Sequence, residues 1–441
     1  EDVSGVNAAA TPVLGSLTGG IRKFVDALPG LGGGGANLLG NYISVGVPDA
    51  VTYGPDFVLA NPHPDARPSH YYEIALVQFT QQLHSDLPPT TLRGYVQLET
   101  AVVTGAHVQL FYPDGSPIYY ADGITPVFAV DQPRYLGPTI VAASDTPVRI
   151  KFYNFLPTGE GGDLFIPTDT TVMGAGEGPK NALGADCDPM LEVCEMYTEN
   201  RATLHLHGGL VPWISDGTPH QWITPAGETT QYPKGVSVQN VPDMPDPGDG
   251  AQTFYYNNAQ GARLMFYHDH AYGITRLNVY AGEAAGYVIT DQVEADLIAG
   301  TNVTGVNPLG LSYLPGVGTP LVLQDKTFVD ATTIGAQDPT WKWGTGTPDI
   351  TGRKEPKTGD LWLPSVYMPI QNPNDLAGGN AFGRWQYGPW FNPPTANIEN
   401  GPMANPYYDP GCDNATTWCE PQFQPNMPTP SMGMEAYMDT S

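Results

Sequence analysis

The 441-residue chain carries 45 Asp and Glu against 18 Lys and Arg, a formal net charge of −27. A surface of that sign repels nucleic acid and anionic lipid and attracts metal cations, so neither nucleic acid nor membrane is expected as a partner. No run approaches the ~18 apolar residues of a membrane span, and the chain opens on Glu1, which reads as the product of a removed leader and points to a secreted, periplasmic or extracellular protein.

Residues 1–68 are rich in Gly, Pro and Ala, with four successive glycines from Gly32 to Gly35, and are expected to form an irregular N-terminal extension. Short strands are then predicted at 71–79, 107–112, 139–143 and 148–152, the last with clean apolar alternation, and further on at 202–207, 264–267, 287–289 and 320–323. Turn residues separate them, and no long segment holds a 3.6-residue apolar period. The class is all-β, a sandwich or a barrel. The 52 Gly and 45 Pro stay below the roughly 25–30% of low-complexity chains, so long ordered loops are expected. Asn-, Gly- and Pro-rich sequence between 291 and 318 suggests a boundary, giving a first β domain at 69–295 and the start of a second at 296–441.

The four cysteines form two pairs of equal spacing, Cys187 with Cys194 and Cys412 with Cys419, inside loops rich in Gly, Pro and Asp. Each pair is expected to close a small disulfide loop, a bond that persists in oxidising compartments. Thiolate metal ligation would call for Cys-x-x-Cys or a neighbouring His, and neither occurs. Sequons at Asn302 and Asn414 permit glycosylation. Met427, Met432, Met434 and Met438 could serve as soft thioether donors to Cu(I) but read more simply as packing residues.

Two His-x-His pairs stand out, His205-Leu206-His207 and His268-Asp269-His270, each in strand-like sequence. Residues i and i+2 of a strand share one face, roughly 7 Å apart, so two such strands side by side would bring four imidazoles to one spot. Imidazole donors without a regular carboxylate beside them favour copper or zinc. His63, His70, His84, His107 and His220 lack partners at ligand spacing and read as structural or solvated. Asp269 falls on the opposite face of its strand from its neighbours and reads as a hydrogen-bonding group that supports them.

His205-Leu206-His207-Gly208-Gly209, followed by Ser215-Asp216-Gly217 and Trp222, resembles the first copper motif of the multicopper oxidases, and Tyr267-His268-Asp269-His270-Ala271 resembles the second. Leu83-His84-Ser85-Asp86-Leu87-Pro88-Pro89-Thr90, Thr275-Arg276-Leu277-Asn278-Val279-Tyr280-Ala281-Gly282 and Leu323-Gln324-Asp325 are similar to the bacterial spore-coat laccase and bilirubin oxidase branch. The resemblance covers roughly residues 68 to 330 and, more loosely, 359 to 441. It implies cupredoxin-like Greek-key β-sandwich domains, one complete and one partial. It also implies a trinuclear copper cluster in which His205 binds the type 2 ion, His207 one of the type 3 pair, and His268 and His270 one type 3 ion each. Asp216 matches the acidic residue that this branch places near the cluster for proton delivery. As a residue of a Ser-Asp-Gly turn it would equally cap backbone amides, and the two roles are compatible.

The same resemblance exposes what is missing. A complete member also carries a late His-x-x-His-x-His motif and a His-Cys-His motif, and neither occurs in these 441 residues. The type 1 copper site, built from two His, a Cys and a weak axial ligand, and four of the eight trinuclear histidines are therefore absent. The expectation is the N-terminal part of a secreted multicopper oxidase, completed by a second polypeptide that carries His-Cys-His. Together they would couple one-electron oxidation of a phenolic or laccase-type substrate to the four-electron reduction of dioxygen to water. Mn(II) or Fe(II) as the reductant is an alternative, and a non-catalytic copper-binding or assembly protein another. A zinc hydrolase or a cupin fits less well, because a cupin places a Glu shortly after its second His, whereas Gly208-Gly209-Leu210-Val211-Pro212 follows here.

Overall fold

The computed structural model describes residues 21–362 apart from 64–65, 169–173, 189–191, 317, 338–342 and 349–353. In chain order the elements are β1 (Ser44–Val45), α1 (Pro55–Ala60), β2 (His70–Gln81), β3 (Thr90–Gln97), β4 (Val108–Gln109), β5 (Phe128–Ala129), β6 (Pro138–Ala143), β7 (Val148–Asn154), β8 (His205–His207), β9 (Ala251–Tyr256), β10 (Arg263–His268), α2 (Thr275–Ala281), β11 (Ala284–Thr290), α3 (Gln292–Ala299), β12 (Thr327–Phe328), α4 (Ile334–Gln337) and β13 (Leu361–Trp362). No helix among the described residues is long and apolar enough to cross a membrane.

Two sheets carry the architecture, one ordered β3-β2-β7-β9 and the other β1-β6-β11-β10-β8. They face each other across one apolar layer. Val148, Ile150 and Phe152 of β7 and Tyr72, Ile74 and Leu76 of β2 fill it from one side, while Ile140, Met265, Tyr267, Tyr287 and Leu206 fill it from the other. Each such side chain contributes roughly 1.5–3 kcal/mol when fully buried, so this layer is the main source of stability. The all-β sandwich expected from the sequence is thus present, with mixed pairing: β2 runs parallel to β7 and β6 parallel to β11, while the β10 pairings are antiparallel.

The four-stranded sheet is covered on its second face as well. Ala75, Val77, Val96 and Tyr153 pack there beneath Leu110, Ile118, Val127 and Ala129. Burial on both faces explains why β2 reads as a nearly unbroken apolar run. It also hides β3 from a pattern search, since Thr90–Gln97 contains Arg93, a charged residue that is fully buried and donates to the main-chain oxygens of Gly162 and Glu199. β9 was equally illegible, because buried Gln252 and Thr253 break its apolar run.

Other strand expectations are corrected. The stretch 107–112 keeps only the two residues of β4, since His107 takes a positive φ of 55° that no strand tolerates. Residues 320–323 form no strand. From the stretch before residue 69, β1 joins the edge of the five-stranded sheet by parallel pairing with β6. Cys187 and Cys194 form the expected disulfide, with Cα atoms 5.7 Å apart. Cys412, Cys419, Asn414, Met427, Met432, Met434 and Met438 lie outside the described residues.

Candidate metal centre

β8 is only three residues long, and its alternation decides the site. Leu206 points into the sandwich and is 1% exposed, which turns His205 and His207 to the outer face. On β10 the inward residues are Met265 and Tyr267, which turns Phe266 and His268 outward. The antiparallel register sets His268 opposite His205 and Phe266 opposite His207. His205, His207 and His268 therefore meet at one end of a single ladder, and His270 follows two residues past that end.

The rings converge. Centroid separations are 5.3 Å for His205 with His268, 5.4 Å for His207 with His268, 4.8 Å for His205 with His270 and 5.7 Å for His268 with His270. His205, His207 and His268 each offer a ring nitrogen within 4.8 Å of the others, while His270 adjoins that group from beyond the strand end. Phe266, which sequence reading passed over, lies flat against His207 at 4.7 Å and against His268 at 5.0 Å. Its signal was its place two residues before His268, on the same face.

Hydrogen bonds orient these rings as a metal site needs. His205 Nδ1 lies 2.6 Å from the main-chain oxygen of Asp216, and His268 Nδ1 lies 2.6 Å from the main-chain oxygen of Asp269. A carbonyl only accepts, so each Nδ1 carries the proton and each Nε2 keeps a free lone pair. Nδ1 of His207 stands 3.2 Å from Nε2 of His268, and Nδ1 of His270 is buried without a hydrogen-bond partner. Burial pushes the His268 pKa down to about 4, and the neighbouring imidazoles push the same way, against the raising effect of the Asp269 carbonyl. A neutral imidazole is the ligating form. The donor set fits copper or zinc.

Asp216 reaches the site through a turn. Gly217, with φ +65°, lies so close to the Leu204 carbonyl that an added Cβ would sit 1.8 Å from that oxygen, and this contact sets Asp216 beside His205. The Asp216 carboxylate is 3.4 Å from His205 Nδ1 and 37% exposed, so it faces both ring and solvent. Behind the rings, Asp269 is fully buried, with burial pushing its pKa up to about 6 against three hydrogen-bond donors and Arg201. Arg201, buried in the same layer as Asn278, gave no sequence signal because one polar residue in an apolar stretch has many readings.

Three of the other histidines are engaged elsewhere. His84 bonds the Arg22 carbonyl and the Asp86 N–H, His107 bonds Glu99 and stacks on Phe128, and His220 packs on Tyr272.

No family model matches the chain. The chain is 28% identical over 277 residues to a laccase of Bacillus subtilis (strain 168), covering 63% of this chain and 35% of that protein. It is 32% identical over 259 residues to a laccase of Haloferax volcanii, covering 59% and 31%. A third relative, multicopper oxidase LPR1 homolog 1 of Oryza sativa subsp. japonica, is 32% identical over 194 residues, covering 44% and 25%. The chain thus spans about a third of the length of the curated relatives it matches. Among solved structures, McoA multicopper oxidase from Aquifex aeolicus overlaps 77% of this chain and 41% of its own, at 15% identity and a TM-score of 0.29, too low to carry weight. By sequence, the chain is a homologue of laccases and multicopper oxidases.

Proposed function

We propose that this homologue of the multicopper oxidases supplies half of the ligands of a trinuclear copper cluster, in an oxidase that couples one-electron oxidation of a phenolic or laccase-type substrate to reduction of dioxygen. The carrying observation is the convergence of His205, His207 and His268 on one ladder, with His270 adjoining them from two residues past its end. When bound, copper supplies the one-electron steps by which dioxygen, four electrons and four protons become two waters.

This chain's residues do the rest. In our reading His205 would hold the type 2 ion, His207 one type 3 ion, and His268 and His270 one type 3 ion each. The Asp216 and Asp269 carbonyls keep the Nδ1 protons of His205 and His268 in place, so that both rings present Nε2. Phe266 lines one side of the rings with an apolar face. The half-exposed Asp216 carboxylate takes protons from solvent and passes them toward the centre beside His205.

The remaining donors come from protein outside these 441 residues, which contain no His-Cys-His. We assign them to a second polypeptide that also carries the type 1 copper, and we place the assembled protein outside the cytoplasm. A second reading takes Mn(II) or Fe(II) as reductant, favoured by the net charge of −27, which steers cations. A copper-binding or assembly protein without catalysis is the third.

Mass spectrometry of the purified native protein, with copper analysis and oxygen consumption on the same sample, tests the proposal. A partner sequence containing His-Cys-His, several copper ions per assembly and oxygen uptake with a phenol are expected. Copper bound without oxygen uptake toward any reductant would leave only the binding role.

A further inference from the structure

The β8–β10 ladder ends at the His205–His268 pair. His270 lies two residues further on, and no strand pairing holds it. Two buried side chains tie this stretch instead, reaching across in opposite directions. From the second segment, the Asp269 carboxylate accepts the Thr203 N–H through Oδ1 at 2.9 Å, and through Oδ2 the Ala271 N–H and the Asn278 side-chain amide, each at 2.9 Å. From the first, the Arg201 guanidinium donates to the Tyr272 carbonyl at 3.0 Å and to those of Thr198 and Gly174. The Asn278 amide also donates to the Arg201 carbonyl at 3.2 Å. Thr203 precedes His205 by two residues, and Ala271 follows His270 directly.

We propose that Asp269 is a positioning residue for His270, its carboxylate setting the separation of the His270 and His205 rings by binding main chain on both sides. The proposal rests on the reading of the four imidazoles as one copper centre. An ionised carboxylate only accepts, and it meets three donors here. Asparagine has nearly the same shape but turns an NH2 group toward one of those donors, so Asp269→Asn breaks the clasp without opening a cavity. The ladder residues His205, His207 and His268 keep their own pairing in that variant, so the disturbance falls on His270.

The experiment compares native protein with Asp269→Asn, Asn278→Ala and His270→Ala, in copper titrations followed by metal content and by the electron paramagnetic resonance spectrum, with circular dichroism as the check on folding. Asp269→Asn should weaken copper binding roughly 10–100-fold, the usual effect of losing a group that orients a ligand, with a spectrum displaced toward that of His270→Ala. Asn278→Ala, which spares both main-chain bonds, should shift the same way by less. A folded Asp269→Asn protein with native copper affinity and spectrum, beside an impaired His270→Ala, overturns the clasp alone. If Asp269→Asn does not fold, native binding by Asn278→Ala overturns it. Native copper binding by His270→Ala sinks the copper reading and the clasp with it.

Discussion

Nδ1 of His207 and Nε2 of His268 stand 3.2 Å apart across the β8–β10 ladder. His268 Nε2 has no proton, since Nδ1 carries it toward the Asp269 carbonyl, so His207 donates to His268. A cation bound here would replace that proton, and the two nitrogens would be its ligands.

His207→Ala or His268→Ala should each lower bound copper and abolish oxygen reduction in the assembled protein. Copper should raise the unfolding midpoint of the native protein, since a ligand at 100 times its Kd adds about 2.7 kcal/mol of stability, and should raise it less in either variant. Calorimetry with and without copper, beside an oxygen electrode, reads both effects. Full oxygen consumption by either variant would sink the assignment.

Asp216→Asn keeps the main-chain oxygen that orients His205 and removes only the ionisable group. Copper content should match the native protein while turnover falls roughly 10²-fold or more, the usual worth of a positioned acid or base. A variant with native turnover would reduce Asp216 to a turn residue.

Gly217→Ala should destabilise the protein by roughly 2 kcal/mol or more, because its φ of +65° disfavours a side chain and its Cβ would strike the Leu204 carbonyl. That carbonyl is joined to His205, so copper affinity should fall as well. Denaturant unfolding and copper titration of the same sample check the pair of effects; loss of neither would show that the turn can relax.

Glu283 is fully buried, both of its carboxylate oxygens lack hydrogen-bond partners, and Arg93 approaches no nearer than 3.9 Å. Burial raises its pKa well above the ordinary 4.5, with Asp269 pushing the same way and Arg93 opposing. The folded state thus holds the proton longer than the unfolded chain, and stability present below pH 4.5 is lost as pH rises toward the folded-state value. Glu283→Gln removes that loss. Its melting temperature should exceed the native one at neutral pH, with the gap closing toward pH 4. A gap independent of pH would count against this account.

The sandwich was legible because alternation in β7 and the apolar run of β2 follow directly from which faces are buried. β3 and β9 were not, since Arg93 and Thr253 are polar residues that bond inside the protein to main-chain groups outside any local window, and Gln252 is buried as well. The identity of the four imidazoles, and the face that His205 and His207 share, were already determined by the spacing of two residues along a strand. Their convergence was not. It depends on β8 pairing with β10 in one register out of several, and on which residue faces the core. The place of His270 past the end of that ladder, the wall made by Phe266 and the clasp of Asp269 with Thr203, Ala271 and Asn278 were decided only by tertiary structure. Hydrogen bonds between residues some 60 positions apart leave no periodic mark in a single sequence, whereas the burial of one strand face does.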